Sequence, residues 1–263
     1  MDTLAAVPVP DDLIRFWRTL DGVVSGAVEP AWWGAVVCDR RFPAVTDANY
    51  ARVDERADPT LDEVEEAMRP ALDRVGLATL HVVAFRPEAA TGLVAEMSQR
   101  AALTWDLVMR HGGQVEGVAA LQIEDLEPGP ELWAAVDRSL ALFEIEDPSV
   151  REQILAIERD VLGSSGCKRW FGVRESGAIV ALAALVELEG IAYIDNVATE
   201  PRARGRGYAS ALGAHAVAAA ARESEPTYLL ADPGGPLKMY ERLGFREVAR
   251  FPSMRTPLTR ASA

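Results

Sequence analysis

Cysteine is scarce in this chain. Cys38 and Cys167 are the only two, far apart and without metal-ligand spacing, so neither a disulfide framework nor a cysteine-based zinc site is expected, and a cytoplasmic setting fits. Histidine is scarce as well. His81, His111 and His215 lack cysteine or acidic partners at ligand spacing, so no metal is expected. Basic charge is in short supply: 27 Lys and Arg face 40 Asp and Glu, a net charge of −13. That balance argues against a general nucleic-acid or anionic-membrane surface and is compatible with a cationic small-molecule substrate. Long apolar runs are missing too; none approaches the roughly 18–20 residues of a membrane span. The first residues carry no basic n-region, so no secretory leader is expected.

What is present is an ordinary globular composition, 49% hydrophobic and 25% charged over 263 residues. That is enough for one large or two ordinary domains. The first half reads as an αβ unit. Helical periodicity covers residues 11–20 and 61–75, the latter ended by Gly76. Residues 35–38, 49–54, 79–85 and 105–110 read as strands, and Pro87 starts a helix running to about Arg100. Gly112-Gly113 is the best linker, so the domains are expected to be 1–115 and 116–263. The second half restarts with a strand at 118–124 and helices at 132–143 and 150–161. A hairpin follows, 169–174 with 178–187 around Glu175-Ser176-Gly177. A strand at 191–198, an alanine-rich helix at 207–222, a strand at 228–231, a helix at 236–243 and a strand at 245–251 complete it. A faint repeat links residues 97–103 to residues 239–245, each at a helix-to-strand junction.

Residues 193–210, Y-I-D-N-V-A-T-E-P-R-A-R-G-R-G-Y-A-S, carry the chemistry. A strand leads into an arginine-rich loop and the glycine-rich start of a helix. Such a helix start offers unsatisfied backbone N–H groups and a partial positive charge, and glycines admit a ligand close to the backbone. A phosphate-bearing ligand is expected. The loop fits neither a Walker motif, which needs G-x-x-x-x-G-K-[ST], nor a dinucleotide fingerprint, because Ser210 stands at the third glycine position.

The remaining pattern, R-x-x-G-x-G over Arg202 to Gly207, resembles the acetyl-CoA-binding motif of the GNAT superfamily of N-acetyltransferases. M-Y-E-R-L-G-F at 239–245 is similar to that superfamily's Y-x-x-x-G-F signature, and the two motifs stand in the family's order. The resemblance covers about 116–263. It implies a GNAT-like α/β (α+β) fold: a mixed, mostly antiparallel central sheet with flanking helices, preceded by a smaller αβ domain, possibly a degenerate GNAT-like copy. It also implies acetyl-CoA as co-substrate. Val197, Ala198 and Thr199 are then expected to meet the pantetheine arm. Arg202, Arg204, Gly205, Arg206, Gly207, Tyr208 and Ala209 are expected to cradle the pyrophosphate. Tyr240 is expected to protonate the departing thiolate. Pro233 departs from the pattern, standing where many relatives carry a cofactor-contacting asparagine.

An attacking amine must lose a proton, since amines are protonated near neutral pH. Asp195 on the motif strand is the nearest candidate base, with Glu187 and Glu189 around the preceding turn as alternatives. The expected function is acetyl transfer from acetyl-CoA to a primary amine of a small molecule or peptide, by a monomer or homodimer. The competing readings are a non-catalytic acyl-CoA-binding module and a dinucleotide-binding protein.

Overall fold

The computed structural model describes residues 7–222 and 226–258. The chain divides into two compact units, 1–108 with 248–263 and 109–247. It passes between them twice, inside strands.

The first unit opens with α1 (Asp11–Val24) and the hairpin β1 (Ala27–Ala31) and β2 (Gly34–Cys38), followed by β3 (Tyr50–Val53). Strand β1 escapes the sequence reading because its outward residues Val28, Glu29 and Pro30 give no apolar alternation. Helix α2 (Leu61–Val75) matches its expected bounds. Thr60 and Glu63 close a reciprocal capping box, and Gly76 ends the helix at φ 73°. Next come β4 (Thr79–Ala84), α3 (Thr91–Arg100) and β5 (Thr104–His111). Helix α3 starts later than Pro87 suggests, because residues 87–89 turn first.

Strand pairing in this unit is β1-β2-β3 antiparallel and β3-β4 parallel. Its core gathers Val64, Met68 and Leu72 of α2 against Leu80 and Val82 of β4 and Met97 of α3. Gly34 sits at φ 149°, where a Cβ would lie 1.9 Å from the Arg52 carbonyl oxygen, so the β2–β3 approach requires glycine. Beneath it Arg52 bridges Asp21 and Asp54, and Tyr50 donates its hydroxyl to Asp21.

The second unit holds β6 (Glu124–Leu126), α4 (Pro130–Leu142) and α5 (Pro148–Ala156). Helix α5 continues through a π-helical turn, Ile157–Leu162, into the single turn α6 (Gly163–Ser165). Then follow β7 (Lys168–Glu175), β8 (Ala178–Leu188), β9 (Ile191–Thr199), α7 (Tyr208–Arg222), β10 (Thr227–Ala231) and α8 (Leu237–Arg242). The strand expected at 118–124 is not formed; only its last residue joins β6. Strand β11 (Phe245–Pro257) starts in this unit and runs on into the first, where it pairs antiparallel with β4. The sequence reading stopped it at 251.

Strand order in the second unit is β10-β9-β8-β7-β6. Of these four pairings β9–β10 is parallel and the others are antiparallel. Strand β8 is nearly all apolar and buried along most of its length, as a strand covered on both faces must be. Helix α7 lies against β8 and β9 through Ala211, Leu212, Ala216 and Ala220. Its small side chains permit close approach. The architecture is thus mixed α/β, with mostly antiparallel strand pairing and flanking helices.

Candidate active site

Strand β9 pairs with β8 along its length but with β10 only at Ala192 and Tyr193. Among the described residues β10 pairs with β9 no further than Tyr193, which leaves an edge of the kind that can take an added strand. The β8–β9 register shifts there as well. Leu182 faces Ala198 and Ala184 faces Asp195, so Ala183 alone opposes both Asn196 and Val197. This is a β-bulge, and Asn196 takes the left-handed conformation at φ 51°.

Past β9 the chain makes a 3-10 turn, Pro201–Ala203, whose Ala203 is fully buried. It then runs through Gly205 at φ 79° and Gly207 at φ 81° into α7. A Cβ at either glycine meets nothing within 4 Å, so backbone conformation, not crowding, calls for glycine, and the space above the loop is free. A helix of this length begins there with unsatisfied N–H groups.

A cavity of about 670 Å³ lies over this corner, within the range of small-molecule sites. Val197, Ala198 and Thr199 form one wall, and Arg204, Gly205, Gly207, Tyr208 and Ala209 another. Tyr240, Met239 and Arg242 of α8 and Leu142 and Phe143 at the end of α4 close it. The α4 contribution was not read from the sequence. Phe143 follows the end of α4 and is left 45% exposed, a feature that only the packing reveals.

The three loop arginines are not equivalent. Arg202 donates to Glu200 at 2.7 Å and Arg206 to Glu175 at 2.7 Å, and neither lines the cavity. Arg204 does line it, and its Nε donates to the Thr199 carbonyl at 3.3 Å. Tyr208 donates its hydroxyl to Glu175 at 2.6 Å, a bond that lowers the Glu175 pKa.

Tyr240 is buried to 8% exposure and lines the cavity. Burial, helped by the negative charges of Asp195 and Asp232, pushes its pKa up to about 12. The phenol therefore keeps its proton at neutral pH. Asp195 does not line the cavity. Its Oδ2 accepts from Lys168 Nζ at 2.8 Å and its Oδ1 from the Asn196 N–H at 2.8 Å. Of the other candidate bases, Glu187 is gripped by Arg169 at 2.8 and 3.0 Å. Glu189 sits in the β8–β9 turn at φ 55°. Pro233 lies in a turn closed by the Gly235 N–H donating to the Asp232 carbonyl. Among the described residues, no group of three or more His, Cys, Asp or Glu is placed to hold a metal. No helix of these residues is long and apolar enough to cross a membrane.

Residues 166–247 match the family model described as an acetyltransferase (GNAT) domain. No curated protein matches the chain significantly. Among solved structures, the chain is similar to a GCN5-related N-acetyltransferase from Kribbella flavida, with 17% identity, 94% of this chain and 95% of that one covered, and a TM-score of 0.58. It is also similar to a functionally unknown conserved protein from Staphylococcus epidermidis, with 12% identity, 90% and 96% coverage and a TM-score of 0.65. A tandem GNAT protein from the clavulanic acid biosynthesis pathway aligns over 76% of this chain and 69% of its own, with 15% identity and a TM-score of 0.53. At these identities the likeness is one of fold.

Proposed function

We propose that the GNAT acetyltransferase domain carried by residues 166–247 moves an acetyl group from acetyl-CoA to a primary amine of a small molecule or peptide. The observation that carries this reading is the shared cavity. The open edge of β9, the glycine-rich start of α7 and the Tyr240 phenol all border it.

Acetyl-CoA supplies an activated acetyl group on a thioester, with a thiolate as leaving group. The chain's residues suit that ligand. Val197, Ala198 and Thr199 present strand backbone without a β10 partner, suited to an extended arm bearing amide groups. The N–H groups at the start of α7, with Arg204, suit the pyrophosphate. Arg202 and Arg206 are paired with Glu200 and Glu175 instead. Tyr240, neutral because it is buried, is the proton donor on the cavity wall. Asp195, whose negative charge acts on that phenol, is the candidate to take the proton that an ammonium acceptor must lose. The acidic chain favours a cationic acceptor, and polyamine-like and aminoglycoside-like amines are the first to test.

A second reading, a non-catalytic acyl-CoA-binding module, draws support from one observation. Both Asp195 oxygens are already engaged, by Lys168 and by Asn196. Thermal unfolding with acetyl-CoA, CoA and NAD tests the ligand: stabilisation by the first two and not by NAD is expected. Stabilisation by NAD alone contradicts both readings.

A further inference from the structure

Lys168 and Lys238 are the only lysines in a chain whose other basic side chains are arginines. Lys168, the first residue of β7, is the buried one, its side chain 1% exposed. An ammonium has three donors, and all three are spent. Nζ donates to Glu158 Oε1 at 2.8 Å, to Asp195 Oδ2 at 2.8 Å and to Asn196 Oδ1 at 3.1 Å. The charge also lies 4.8 Å from the centre of the Trp170 ring. Glu158 sits on the π-helical turn, its side chain 8% exposed and its Oε2 buried without a partner. Such turns often accompany functional sites.

Two of the three acceptors are consecutive residues, and they fall at the β9 bulge. Asp195 Oδ1 also takes the backbone N–H of Asn196. Asn196 is therefore held at both its backbone and its side-chain amide, in the left-handed conformation that non-glycine residues enter only at a cost. The next three residues, Val197, Ala198 and Thr199, line the cavity. A cluster serving only to fill the core has no reason to give the one residue of β9 whose backbone is left-handed both a donor for its side-chain oxygen and an acceptor for its backbone N–H.

We infer that Lys168 is a positioning residue: anchored on Glu158, its ammonium grips Asp195 and Asn196 together and holds the left-handed bulge from which the cofactor-facing edge of β9 departs. This rests on the acetyl-CoA reading of the cavity. The clamp also accounts for the engaged state of Asp195, whose two oxygens meet Lys168 and the Asn196 N–H.

The test combines Lys168→Met with Glu158→Gln, so that no buried carboxylate is left without its cation, and then adds Asn196→Gly, which enters the left-handed region freely. Acetyl-CoA affinity is measured by calorimetry, and the amide–alpha proton coupling of Asn196 by NMR in ligand-free protein. The double variant is expected to lose affinity about tenfold or more and to shift the Asn196 coupling to its extended value; the triple variant is expected to regain most of the affinity. Unchanged affinity in the double variant, or no recovery on adding Asn196→Gly, overturns the inference. If the double variant fails to fold, Asn196→Ala against Asn196→Gly decides, with the alanine variant expected to bind more weakly and equal affinities counting against the clamp. If the wild type binds no acetyl-CoA, the functional reading fails, and the ligand-free coupling still decides the clamp, an unchanged value overturning it.

Discussion

The Tyr208 hydroxyl donates to Glu175 Oε1 at 2.6 Å, and Arg206 Nη1 donates to the same oxygen at 2.7 Å. One carboxylate at the end of β7 thus ties down both the first residue of α7 and one of the loop arginines. Glu175→Gln keeps an acceptor for the hydroxyl and frees the charge of Arg206. Acetyl-CoA is then expected to bind about two- to threefold more tightly at low salt, with the gain vanishing as salt rises. Calorimetry at two ionic strengths checks this; weaker binding at both means that the latch itself orders the loop.

Arg204 and Arg202 separate in the same way. Arg204 borders the cavity, whereas Arg202 points to Glu200 and is 64% exposed. Arg204→Ala is expected to weaken acetyl-CoA binding about 10- to 100-fold, the scale of a charge-assisted bond to phosphate. Arg202→Ala is expected to change it by about twofold or less, because an exposed ion pair contributes little. Equal losses argue that the loop moves to bring both arginines to the ligand.

Tyr240 is raised to about 12 by burial and by the charges of Asp195 and Asp232. Its phenol therefore stays protonated through the range in which amines lose their protons. Turnover is expected to rise with pH as the acceptor deprotonates and to show no alkaline fall from this group up to about pH 10. A rate profile that collapses between pH 8 and 9 in the wild type but not in Tyr240→Phe contradicts this assignment.

His81 makes stability depend on pH. It is 3% exposed, and Nε2 is buried without a partner. Burial pulls its pKa from 6.5 down to about 4, with Arg255 adding to the fall and Asp47 opposing it. The unfolded chain takes up the proton first as pH falls. The contribution is therefore full above about 6.5 and is lost on descending to about 4, amounting to on the order of 3 kcal/mol. Asp21 acts oppositely: burial raises its pKa to about 6, and the stability this gives at low pH is lost as pH rises through that value. Urea denaturation of wild type and His81→Gln at pH 7 and pH 4.5 isolates the histidine. A smaller loss of stability on acidification is expected in the variant, and identical losses contradict the assignment.

Much of the second unit was legible because its chemistry is local. The strand, turn and helix over 191–222 announce themselves through an apolar run, a proline, two glycines and an alanine-rich tail. Helix α2 was readable to the residue because its cap and its terminal glycine are both sequence signals. What was hidden depended on tertiary partners. Strand β1 exposes most of its side chains, and β11 extends through polar residues because β4 offers a ladder. The unequal roles of the three arginines depend on Glu175 and Glu200, which the sequence does not mark as partners. Lys168 gave no signal, since a lone lysine at a strand start reads as a surface residue until Glu158, Asp195 and Asn196 are seen around it. Phe143 joins the cavity wall only through the packing of α4.

The central claim is that this cavity turns acetyl-CoA over, and release of free CoA thiol across a panel of primary amines tests it most directly. The wild type is expected to release thiol only when an amine is present. Tyr240→Phe is expected to bind acetyl-CoA with similar affinity and to release thiol at least 10²-fold more slowly, the scale of a lost general acid. Tight acetyl-CoA binding with no amine-dependent thiol release from the wild type, across the whole panel, contradicts the transferase account and leaves the binding module in its place.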